Sequence, residues 1–125
     1  MNRIYCLLIQ VKSAQKIKVG KLGTFEFPRG YYVYIGSALN NLEARIARHF
    51  SKRKKKHWHI DYLLANAEII DFFISQKKEC ELNSKIFEIP GAVALVEKFG
   101  SADCGCKSHL AYFKENPVKY LISNL

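Results

Sequence analysis

Apolar residues along this chain fall into short runs separated by turn-forming residues, and the spacing within the runs changes along the way. Ile4 to Ile9 (IYCLLI) is continuous and rich in strand-forming side chains, which predicts a first strand over Arg3–Val11. The run is too short to span a membrane and carries no small-residue cleavage site. A polar stretch containing Gly20, Gly23 and Pro28 follows, and it predicts an extra hairpin from Ile17–Val19 and Thr24–Phe27. Tyr31 to Ile35 alternates aromatic and aliphatic groups as a strand does, and Gly36 then permits a sharp turn or a close approach to a ligand.

Beyond Gly36 the period becomes helical. Leu42, Ile46 and Phe50 recur at the spacing of one helix face and are expected to point to the core, with Asn40 and Glu43 as the opening capping box. Ile60–Ala65 predicts a short helix, Ala67–Ser75 a strand, and Lys78–Ile89 a helix stopped by Pro90 and Gly91. His109–Phe113 predicts a last strand, and Asn116 and Pro117 open a C-terminal helix. Turn-rich punctuation implies antiparallel pairing. The expected fold is α+β, a small central antiparallel sheet of about three strands plus an extra hairpin, flanked by helices. A chain of 125 residues suffices for one domain, 1–125, and no repeat or linker divides it.

Charge narrows the partners. With 20 Lys+Arg against 11 Asp+Glu the net charge is +9, which favours polyanions and excludes nothing about the fold. The excess is clustered: Arg45, Arg48, His49 and Lys52 form a second stripe on the predicted helix, and the loop Ser51–His57 adds Arg53, Lys54, Lys55, Lys56 and His57. Glu43 is the only acid between Gly36 and His59, so this is not the interleaved Glu–Lys pattern of a helix made for solubility. Nucleic acid is the expected partner, held through phosphates with little sequence preference. A solvated helix face and a flexible exposed loop are the plain alternatives.

Other residues carry candidate chemistry. Four cysteines with no evident export signal read as reduced thiols in the cytoplasm. Cys104, Cys106 and His109 could supply three zinc ligands and Cys80 a fourth, although the spacing is not that of a common zinc ribbon or finger. A tight turn built on Gly100, Ser101 and Asp103 explains the same segment as well. Tyr5, Tyr32 and Tyr34 taken singly read as strand aromatics, His59 as a buried histidine beside Asp61, and Trp58 as core.

Taken in order, Tyr5, Tyr34-Ile35-Gly36, Arg45, Arg48-His49 and a downstream acid resemble the motif set of the GIY-YIG nuclease superfamily. The segments HWHIDYLL (His57–Leu64) and FGSADCGCKSHL (Phe99–Leu110) are similar to an uncharacterised branch of small basic proteins, with 99–125 as a subfamily-specific C-terminal extension. This resemblance implies a divalent-metal-dependent endonuclease, acting on DNA rather than RNA, with repair or recombination as its setting. Tyr5 and Tyr34 would stand on adjacent strands, one of them polarising or deprotonating the attacking water. Arg45 would hold the scissile phosphate, His49 would be an auxiliary base or phosphate ligand, and His57 or His59 a further phosphate contact. Glu79, or Glu81 in its place, would bind Mg²⁺ or Mn²⁺ and so stabilise the leaving oxygen. The chain departs from the family pattern in two places: the first motif, Arg3-Ile4-Tyr5, lacks the leading glycine, and the stretch from Tyr5 to Tyr34 is long enough to hold an inserted hairpin. A non-catalytic nucleic-acid binding module that keeps the basic helix is the alternative, and a small zinc-stabilised interaction domain a third. On these expectations the Cys104–His109 segment serves structure and not the chemical step.

Overall fold

The computed structural model describes residues 3–102 and 104–125. Strands β1 (Arg3–Val11) and β4 (Gly30–Ala38) form the centre of a four-stranded antiparallel sheet in the order β5-β1-β4-β6, with β5 spanning Glu68–Ser75 and β6 Leu110–Phe113. Strands β2 (Gln15–Val19) and β3 (Gly23–Phe27) pair as a separate hairpin. Among the described residues there are four α-helices, α1 (Leu42–Phe50), α2 (His59–Leu64), α3 (Glu79–Phe87) and α4 (Val118–Ser123), and one short 3-10 turn at Gly20–Leu22.

The continuous apolar run in β1 is explained by burial on both faces, because successive side chains of a strand point to opposite sides. Tyr5, Leu7 and Ile9, with Tyr32 and Tyr34 of β4, pack under α1, α2 and the hairpin through Ile46, Ile60, Leu63, Val19 and Phe27. Ile4, Cys6 and Leu8, with Val33 and Ile35, pack on the other side against Leu82 and Ile86 of α3 and Leu121 of α4. The β2–β3 hairpin therefore serves as a wall for α2. The C-terminal segment is likewise integral to the domain, since β6 supplies the fourth strand and Phe99 is fully buried against the first of these two clusters.

Three local expectations are corrected. Gly36 does not turn the chain: β4 runs through it to Ala38, and the chain bends afterwards at Asn41, whose φ of 42° is left-handed. Asn41, not Asn40, caps α1, its side-chain oxygen accepting from the Ala44 amide at 3.0 Å. Phe50 is exposed instead of facing the core, because it closes the last turn of α1 beside edge strand β5, where it meets Phe72 edge-on.

Candidate active site and metal-ligand cluster

A pocket of about 290 Å³ lies over the paired ends of β1 and β4, between α1 and the first turn of α3. Tyr5 and Tyr34 reach it from neighbouring strands, in register with Gly36 and Leu7 respectively. Gly36 is required for this: a Cβ there would stand 2.6 Å from the Tyr5 hydroxyl, so only glycine lets the phenol lie across β4. Gly100, at φ 68°, closes on Tyr34 from the C-terminal loop, where a Cβ would come within 3.0 Å of the ring. A larger groove of about 560 Å³, lined by Gln10, Arg29 and Tyr112, lies at the other end of β1 but gathers no comparable set of chemical groups. The smaller pocket is the one with chemistry.

His49 departs from its expected place on the cationic stripe. It is buried, and its Nε2 lies 2.6 Å from the Tyr5 hydroxyl. Burial, reinforced by the nearby Lys54 charge, pulls the imidazole down to about 4, so it is neutral at neutral pH and Nε2 accepts from Tyr5 when Nδ1 carries the ring proton. Burial pushes the Tyr5 phenol up to about 12, against the opposing pull of Arg45. Tyr34 is pushed up further, again by burial first, with Tyr5 and Glu79 adding to it. Neither phenol ionises by itself at neutral pH.

Arg45 leaves α1 toward the pocket, where its Nη1 donates to the Ser37 carbonyl at 3.0 Å and its guanidinium lies 4.4 Å from the centre of the Trp58 ring. Arg48 lies at the same distance from that ring. Trp58, expected to be core, is instead a half-buried wall of the pocket, and it keeps the two guanidinium groups in place by cation–π attraction. Glu79, the first residue of α3, lines the same pocket. Glu81 is exposed and its carboxylate caps the helix by accepting from the Lys78 amide, so of the two acids it is Glu79 that faces Tyr5 and Arg45.

Several residues expected to meet nucleic acid are turned inward. Arg48 forms a two-pronged ion pair with the buried Asp61, at 2.9 and 3.0 Å. Asp61 also accepts from the His57 and Trp58 amides; burial alone would raise its carboxyl, but the Arg48 and backbone hydrogen bonds outweigh that and hold it below the usual range. Lys54 donates to the last carbonyls of α1, from Arg48 and His49, where a cation complements the helix end. Lys52 donates in the same way to the carbonyls of Leu64, the last residue of α2, and of Ala67 beyond it, and His59 Nδ1 accepts from the Gly100 amide at 2.9 Å, tying down the C-terminal loop. Arg53, Lys55, Lys56 and His57 remain exposed. One acid after a basic stretch was the available signal: Asp61 is the first acid after Glu43 and organises three of its neighbours, Arg48, His57 and Trp58.

Beside the pocket, Cys80 of α3 and Cys104, Cys106 and His109 of the loop before β6 bring their ligand atoms within 4.8 Å of one another. The Cys80 and Cys106 sulfurs are 2.9 Å apart, and Cys104 Sγ is 3.4 Å from His109 Nε2. Burial and then the neighbouring sulfurs push the Cys106 thiol up to about 12, while the Cys104 thiol is drawn down by hydrogen bonds from Cys106 against its own burial. Three sulfurs this close cannot all be anionic without a cation among them, so the cluster is a set of residues that could hold a metal ion. Cys104 and His109 also line the pocket, and Glu79 Oε2 lies 3.2 Å from His109 Nδ1, an ion-pair distance whose alignment falls short of a hydrogen bond. The segment expected to serve structure alone thus borders the candidate active site.

Mixed α+β architecture and a tyrosine-histidine-arginine-glutamate pocket define the class of the domain. By its sequence the chain belongs to the family described as Domain of unknown function DUF123, whose model matches residues 4–125, nearly the whole chain and including the C-terminal segment. No curated protein and no solved structure matches it. Among the described residues, no helix is long and apolar enough to cross a membrane.

Proposed function

We propose that this protein is a divalent-metal-dependent endonuclease that hydrolyses phosphodiester bonds in DNA, with the 290 Å³ pocket as its active site. The observation that carries this reading is the convergence on that pocket of Tyr5, Tyr34, Arg45, His49 and Glu79, from β1, β4, α1 and α3, which are scattered over seventy-five positions of sequence. A base, a cation for the phosphate and a carboxylate for a metal are the three parts that hydrolysis of a phosphodiester needs.

Roles follow from the contacts. Water attacks phosphorus as the bond to the leaving oxygen breaks; its proton passes to the Tyr5 oxygen while the Tyr5 proton moves to His49 Nε2, 2.6 Å away. In that relay Tyr5 never carries a free negative charge, and the anionic phosphate held in the pocket favours the protonated His49 that forms. Arg45, steadied by Ser37 and Trp58, holds the phosphate and offsets the charge that builds on it. Glu79 fits a hard cation: Mg²⁺ or Mn²⁺ is commonly held by one or two carboxylates with water and substrate phosphate completing its shell, and when bound it stabilises the leaving oxygen. Exposed Arg53, Lys55, Lys56 and His57 supply the path for the DNA backbone.

The neighbouring cluster takes zinc on this reading, because three thiolates and an imidazole suit zinc and not Mg²⁺ or Mn²⁺. Free cysteines throughout agree with a cytoplasmic protein. The test is nicking of supercoiled, branched and single-stranded DNA by the purified protein with Mg²⁺ or Mn²⁺. Metal-dependent cleavage is expected; a well-folded protein inert on all three leaves only the non-catalytic binding module.

A further inference from the structure

The zinc cluster and the candidate active site are joined by one contact, Glu79 Oε2 to His109 Nδ1 at 3.2 Å. His109 is buried, and its other nitrogen, Nε2, is the one turned to the sulfurs, 3.4 Å from Cys104 Sγ. An imidazole that offers one nitrogen to a metal ordinarily carries a carboxylate or carbonyl on the other, which fixes its tautomer and its ring orientation. Here that partner is the very carboxylate that faces Tyr5 and Arg45 across the pocket.

We propose, on the zinc and nuclease readings above, that Cys80, Cys104, Cys106 and His109 Nε2 form a tetrahedral zinc centre with Glu79 as the outer carboxylate on His109, so that the zinc centre positions Glu79 in the active site. The distances suit it. Sulfurs about 2.3 Å from a tetrahedral zinc lie roughly 3.8 Å from one another, and the four ligand atoms here lie within 4.8 Å of each other with the closest pair at 2.9 Å, so small side-chain rotations even the spacing out. The topology suits it too. After Phe87 the chain runs to Leu110 with no helix or strand among the described residues; the Val93–Tyr112 bridge, buried Phe99 and the His59–Gly100 hydrogen bond hold parts of it, and the Cys104–His109 turn offers a further point of attachment. Zinc would tie it to the first turn of α3, where Cys80 adjoins Glu79. Oε2 is then committed to His109, and Oε1 is left for the divalent cation of the pocket. Two metal sites of different chemistry would share one carboxylate between them.

The experiment reads zinc and not nicking, so its failure is separable from failure of the nuclease reading. Protein purified with zinc is expected to hold one ion per chain with three sulfur and one nitrogen ligands by X-ray absorption, and its cobalt-substituted form to show the intense visible bands of a tetrahedral thiolate site. Glu79→Gln is exposed enough at the helix start to fold. It should keep the same ligand set but bind zinc about 10- to 100-fold more weakly, measured by competition with a chromophoric chelator, the usual effect of removing an outer-shell partner. Wild-type protein without zinc, or with fewer than three sulfur ligands, would overturn the site; unaltered zinc affinity in Glu79→Gln would overturn the link.

Discussion

In the proposed reaction Tyr5 and His49, 2.6 Å apart, are the pair that handles the proton, and each changes a measurable quantity. Tyr5→Phe keeps the ring and its packing under Gly36, so a loss of nicking of two or more orders of magnitude with unchanged melting assigns the role to the hydroxyl. Arg45→Ala should cost a similar factor, since it removes the group that meets the developing charge. His49 gives a pH test of its own environment, which Tyr5, Trp58, Arg45, Arg48, Lys54 and Asp61 surround. Its folded-state value, about 4, lies below its ordinary 6.5, so the unfolded chain binds the proton more readily. Its contribution is therefore fully present above pH 6.5 and is lost as the pH falls toward 4, by about 3 kcal/mol at pH 4. Urea midpoints of wild type and His49→Gln across that window should converge as the pH drops, and parallel curves would contradict the buried neutral imidazole.

At the level of elements, the basic helix and its loop divide into two kinds of cation. Lys54 holds the end of α1, so Lys54→Gln should lower stability by about 1 kcal/mol and leave the salt dependence of DNA binding unchanged. Arg53, Lys55 and Lys56 are exposed, and replacing all three with Gln should reduce the slope of log affinity against log salt by roughly three. Periodicity alone could not separate them. It placed Arg45, Arg48, His49 and Lys52 on one stripe, but a helix stripe has no knowledge of Asp61, thirteen residues after Arg48, or of the Tyr5 hydroxyl from the first strand. Asp61→Asn should cost about 3 kcal/mol, because it strips the partner from Arg48 and the acceptor from two amides at the start of α2. The order and type of the strands and helices were legible, with ends off by up to three residues as in β4, since burial on both faces of β1 and on one face of each helix writes directly into spacing. Helix α1 was legible in extent but not at its ends, where Asn41 and Phe50 answer to a left-handed turn and a neighbouring edge strand.

For the molecule as a whole, what the chain order conceals is which ends meet. Cys80 lies in the first turn of α3 and His109 just before β6, yet α3 packs on β4, the strand that pairs with β6, and this brings both beside Glu79. The sequence favoured Glu79 over Glu81 only weakly, since both start the same helix, and the fold turns Glu79 to the pocket and Glu81 to the helix cap. On the proposed reading, the site assembled from β1, β4, α1 and α3 is what a domain that merely holds DNA would not need. The most direct measurement compares zinc-loaded wild type with zinc-loaded Glu79→Gln, reading Mg²⁺-dependent plasmid nicking and affinity for the same DNA without Mg²⁺ in parallel. Loss of nicking by two or more orders of magnitude with affinity equal or tighter is the predicted result, since the carboxylate acts on the transition state and repels phosphate in the ground state. Equal nicking rates in the two proteins would contradict it.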